Sequence, residues 1–180
     1  MDRNFTELLD DVCTDLLIGE LWHGRAADQY RKIALRGFAR WAECEALGDA
    51  KCRIALSKLL IDKCGYSPII DVSNLHDSIS FEYDNVSQLR KLLETWMLRE
   101  QDLAKRLTPV MKMASEYDIE IYRELMRLTD EVQQEAFRVK MVGMRLEGAQ
   151  WDLHDIYVVN KHLHDWFESN PDSKTLDFSV

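Results

Sequence analysis

Prolines number only three and glycines only seven among 180 residues, so the chain has few of the residues that stop or bend regular structure. That scarcity argues against a fold built from many short strands and tight turns. Positive charge is also scarce. Lys and Arg total 23 against 32 Asp and Glu, a net charge of −9, which repels a phosphate backbone and excludes nucleic acid as an expected partner. The four cysteines, Cys13, Cys44, Cys52 and Cys64, lack CxxC spacing, and no apolar stretch before them has the form of a secretion signal. They read as reduced thiols in a cytoplasmic protein. Uninterrupted apolar runs are only a few residues long, so no segment is expected to span a membrane. Glycine-rich phosphate loops, nucleophile elbows and Ser/His/Asp arrangements are missing too, which leaves hydrolase and nucleotide-binding functions without support.

What the sequence has in quantity is helical periodicity. Between the few breaks the segments are long, with apolar residues recurring every three to four positions, and an all-α fold in a single domain over residues 1–180 follows. Helices are expected over about 4–35 (Phe5, Leu9, Val12, Leu16, Ala27), with Gly37 breaking the first, and 38–64 (Phe38, Trp41, Leu56, Leu59), with Gly65 as the stop. The third is expected over 85–115 (Leu89, Leu93, Trp96, Leu103), capped by Asp84 or Asn85 and kinked near its end by Pro109. A fourth over 118–147, capped by Asp118 and ended by Gly148, and an aromatic-rich fifth over 150–168 complete the set. The tail beyond Asn170-Pro171 is polar and expected to be loose.

Residues 66–84 lose the helical period and contain Ser67, Pro68, Ser73 and Asn74. Nearly twenty extended residues reach about 60 Å, more than the roughly 40 Å length of each long helix. This connection can therefore run the length of a bundle and set the third helix parallel to the second. The expected topology is a four-helix bundle with one long crossover and a short fifth helix.

One anomaly recurs in all four long helices. The apolar stripe of the first passes through Glu20 and His23, that of the second through Glu45, Asp49 and Cys52, and that of the third through Glu100. In the fourth it passes through Glu135, with Glu131 and Gln134 on its shoulders. Burying several carboxylates is prohibitive unless protons or cations accompany them. Counted at about 1.5 Å per residue from the helix turns, Glu20, Asp49, Cys52, Glu100, Glu131 and Gln134 fall within one or two turns of one height. Glu45 and Glu135 need not belong to the same group.

In order along the chain, GELWHGRA, GFARWAE, LREQDL and DEVQQEAF resemble segments of the four helices of a non-haem bacterial ferritin. Ferritins oxidise ferrous iron at two adjacent positions inside the bundle and store the ferric mineral in a hollow shell of subunits. The resemblance implies an iron site of Glu20, Asp49, Cys52, Glu100, Glu131 and Gln134, with His23 offering a nitrogen donor from the first helix. Asp49 and Cys52 stand where the pattern has glutamate and histidine, a shorter carboxylate and a softer donor, so the implied site is an altered one and its ferroxidase activity is expected to be weak or lost. The implied partner is a second copy of the chain, in a homo-oligomer. A metal-free scaffold whose acids are neutralised by cations such as Lys51, Arg53 and Arg99 remains the alternative. Outside the bundle centre, His154, His162 and His164 read as surface residues. Trp22, Trp41 and Trp96 read as core, and Trp151, Trp166 and Phe167 as a subunit contact.

Overall fold

Residues 3–73 and 75–170 are described by a computed structural model. They form α1 (Arg3–Lys32), α2 (Arg36–Cys64), α3 (Leu75–Ile79), α4 (Leu89–Tyr117), α5 (Ile119–Gly148) and α6 (Leu153–Ser169), and no strand occurs among them. Local chemistry explains the boundaries. Gly65 takes the left-handed conformation at φ 62°, and its N–H and that of Tyr66 bond back to the Ile61 and Leu60 carbonyls, closing α2. Asn85 and Gln88 form a capping box around the 3₁₀ turn Val86–Gln88 that leads into α4. Asp118 is the whole connection between α4 and α5, and its carboxylate accepts the N–H groups of Glu120 and Ile121 at 2.8 and 3.1 Å.

One punctuation residue, Gly37, acts differently from expectation. Helix α1 ends before Gly37, where Ala34 adopts a left-handed φ of 63°. Gly37 lies inside the first turn of α2, where its N–H donates to Asn160 Oδ1 at 2.8 Å and a Cβ would collide with the Asn160 carbonyl oxygen. Its role is close approach of α6, not chain reversal. Pro109 is carried within α4, which continues to Tyr117. Past Gly148 the chain turns through Gln150 and Trp151, at φ 54° and 57°. The polar tail from Pro171 onward lies outside the described residues.

Buried apolar side chains form two clusters, one toward each end of the bundle. One joins Trp22, Phe38, Trp41, Trp96, Val142 and helix α6; the other joins Phe5, Leu60, Leu107 and Ile121. The second cluster thus gathers the start of α1, the end of α2, the end of α4 and the start of α5. So α1 and α2 are antiparallel, as are α4 and α5, while α2 and α4 run parallel. The fold is an all-α four-helix bundle with one long crossover and a short C-terminal helix. The crossover is pinned along α1: Ile69 N–H donates to Asp10, Asp71 N–H to Thr14, and Tyr83 N–H to Gln29, at 2.8–3.1 Å, and Arg25 donates to the Phe81 carbonyl. Trp22, Trp41 and Trp96 are core, as expected. Phe167 is buried, and Trp151 and Trp166 pack partly buried against the same cluster, so these aromatics seat α6 on its own bundle.

A buried histidine and carboxylate layer as candidate metal centre

Between the two apolar clusters lies a polar layer to which every long helix contributes. His23 from α1 is fully buried, Glu45 and Asp49 from α2 are about 7% exposed, Glu100 from α4 is fully buried, and Glu135 and Arg138 come from α5. His23 is the hub. Its Nδ1 lies 3.0 Å from Asp49 Oδ2, and its Nε2 lies 3.2 Å from Glu135 Oε1 and 3.7 Å from Glu100 Oε1. Trp96 Nε1 donates to Glu135 at 2.6 Å. Glu45 accepts from Trp41 Nε1 at 2.9 Å and from Arg138 at 3.1 Å. Arg99 pairs with Glu100 and also donates to the Asp15 carbonyl at 3.2 Å. Gly19 makes this packing possible, because a Cβ there would fall against Asp49 Oδ2 and Arg99 Nη2.

Burial and like charge act together on these acids. Burial, reinforced by the negative charge of Glu135, lifts Glu45 and Glu100 to about 8, against the pull of Arg138 and Arg99. Burial also raises Asp49, opposed by its hydrogen bond to His23. For Glu135 burial is outweighed by His23, Trp96 and Arg138, which hold it below its ordinary value. Burial disfavours an imidazolium at His23, yet Glu135 and Asp49 overcome it and push its pKa up to about 10.

The layer fits one cation. His23, Glu100 and Glu135 each present a donor atom within 4.8 Å of the others, and separations of 3.2 and 3.7 Å match neighbouring ligands at metal bonds of about 2.0–2.2 Å. With a cation in place, Asp49 on Nδ1 would fix the neutral tautomer whose Nε2 lone pair faces it, the outer-carboxylate arrangement common behind metal-bound histidines. Glu100 Oε2 is buried without a hydrogen-bond partner, which is costly unless something else binds it, and His23 Nε2 has only the Glu135 and Glu100 carboxylates beside it. The two guanidinium groups already supply two positive charges, so an adjacent pair of cations fits the layer poorly.

Of the seven residues singled out in the sequence, the fold brings together His23, Asp49 and Glu100. Glu20 lies to the side, half-exposed and paired with Arg53 at 3.0 Å. Cys52 is buried beside the apolar cluster and donates to Glu131 Oε2 at 3.0 Å; Glu131 also pairs with Arg127, and Gln134 is exposed. Glu135 and Glu45, set aside in the sequence, belong to the layer, and Arg138 was not singled out at all. The signal for both α5 residues was present: Glu135 sits on the stripe Val132–Val139, and Arg138 follows it by three positions on the same side.

Solved structures share this fold. An open-pore ferritin from the hyperthermophilic archaeon Archaeoglobus fulgidus superimposes with a TM-score of 0.76 at 15% identity, over 91% of this chain and 97% of that one. A humanized archaeal ferritin superimposes with a TM-score of 0.77 at 15% identity, over 100% and 99% of the two chains. The chain therefore has the ferritin-like fold. No protein-family model matches the sequence, and no curated protein does.

Proposed function

We propose that this protein, as one ferritin-like domain, takes up ferrous iron as cargo at a single site inside the bundle, held by His23, Glu100 and Glu135 with Asp49 behind the imidazole. The observation that carries this is the convergence of three buried donors on one point, with Glu100 Oε2 lacking any hydrogen bond. Ferritin-like architecture supports iron as the cation. Charge supports one cation per chain. With His23 neutral, Arg99 and Arg138 leave the four carboxylates of the layer two charges in excess, which one divalent ion balances. The expected role is iron binding, with ferroxidase activity weak or absent because a paired site is not built.

Assembly into a homo-oligomer belongs to the same proposal. Leu47, Ile54 and Ile61 recur every seven residues along the outer side of α2 and are 58%, 59% and 49% exposed, an apolar stripe of the kind that subunit contacts cover.

The test is anaerobic titration of metal-free protein with Fe(II), followed by admission of air and measurement of ferric absorbance. One Fe(II) per chain, lost in Glu100→Ala, is the expected result. A metal-free scaffold is the second reading, favoured by the way Arg99, Arg138 and a protonated His23 offset three of the four acids while burial keeps protons on Glu45 and Glu100 up to about pH 8. Wild-type protein that binds no iron would leave that reading alone standing.

A further inference from the structure

A cavity of about 260 Å³ opens between α2 and α5. Inward lie Glu45, Asp49 and Glu135 of the buried layer together with Cys52, which is 3% exposed, and outward lie Glu131 and Gln134. Burial falls along the same direction: Glu135 is 6% exposed as a residue, the Glu131 side chain is 35% exposed, and Gln134 is open to solvent. Gly48 in its wall contributes no side chain to fill it. The groove joins solvent to the layer, and four carboxylates line it against one guanidinium, that of Arg138.

From this geometry we infer that the α2–α5 groove is the passage by which a divalent cation reaches the layer, with Arg127 as a tethered rival cation at its mouth. The inference rests on the metal-binding reading above. Arg127 pairs with Glu124 and Glu131, and its Nη2 lies 3.8 Å from Cys52 Sγ. An incoming cation meets Glu131 first and must compete with this guanidinium for it. Beyond Glu131 the next donor inward is the Cys52 thiol, 3.0 Å from the Glu131 carboxylate. A thiol beside a carboxylate favours borderline cations such as Fe(II), Co(II) and Zn(II) over Mg(II) and Ca(II), which prefer oxygen alone. An acidic, low-dielectric cleft also concentrates cations and speeds their arrival.

Stopped-flow mixing of metal-free protein with Co(II), followed by the visible absorbance of the bound ion, tests the route. Arg127→Met removes the rival charge and is expected to accelerate uptake about three- to tenfold while equilibrium affinity stays within about twofold. Gln134→Lys, a change at an exposed position that folding tolerates, places a cation at the mouth and is expected to slow uptake by a similar factor, more strongly at low ionic strength. Cys52→Ser is expected to slow Co(II) uptake and to let added Mg(II) compete with it more effectively. Uptake rates that are identical in wild type, Arg127→Met and Gln134→Lys, with Co(II) bound in all three, overturn the route and leave the metal site intact. Wild-type protein that binds no Co(II) overturns both.

Discussion

His23 carries more of the layer than any other residue, since it faces carboxylates from three other helices. Removing it takes the imidazole partner from Asp49 and leaves Glu135 with Trp96 Nε1 as its hydrogen-bond donor, so His23→Leu is expected to cost the metal-free protein about 3–5 kcal/mol in urea unfolding. Glu100→Gln should behave differently. One of its oxygens has no hydrogen bond and burial already favours its neutral form, so stability is expected to change by less than about 1 kcal/mol while Fe(II) affinity falls at least tenfold. The same groups set the pH response. Glu45 and Glu100, lifted from 4.5 to about 8, hold protons that the unfolded chain has released, so stability falls as pH rises through that window. The contribution of His23, lifted from 6.5 to about 10, is complete below 6.5 and is lost as pH climbs through 10. Glu135, held low, acts oppositely but only below its unfolded value of 4.5. Metal-free protein should therefore be more stable at about pH 5.5 than at pH 8, by roughly 1 kcal/mol per pH unit for each proton released. Urea midpoints that stay flat or rise over that interval would contradict this charge assignment. At this scale the sequence pattern pointed to acids on buried stripes. The family resemblance moved the α5 pair to Glu131 and Gln134, whereas the fold turns Glu135 inward, because one residue is a rotation of about 100° on a helix.

Helix ends are where local chemistry spoke most clearly. Asp118 and Gly65 could be assigned from residue type alone, and the cap before α4 narrowed to Asp84 or Asn85, because caps satisfy the orphan backbone groups of their own chain segment. Asp118→Ala is accordingly expected to cost about 1 kcal/mol, measured by thermal unfolding. Gly37 was misread as a stop, since nothing in its neighbours along the chain announces that the backbone of α6 lies against it. Gly37→Ala should drive α6 from its seat by overpacking against backbone, losing about 3 kcal/mol. Raised exposure of the tryptophans of the α6 segment, read by fluorescence quenching, should accompany that loss. Unchanged stability and quenching would show that α6 accommodates the extra methyl group.

For the whole molecule, the long crossover points to the topology: a segment of that length can run the whole bundle and set the two helices it joins parallel. Leu47→Lys combined with Ile54→Lys is expected to reduce the particle mass seen by light scattering without changing helix content, and an unaltered mass would remove the α2 stripe from any interface. The sequence by itself determined the five longer helices but not α3 within the crossover, together with most of their caps, the bundle topology and the presence of acids among buried positions, because these depend on periodicity and on interactions close along the chain. Only the tertiary structure decided which acids meet, that His23 joins them, and that Arg99 and Arg138 share their charge. Those outcomes depend on the relative rotation and height of four separate helices, and a shift of a single residue in either turns a side chain from the layer to the solvent.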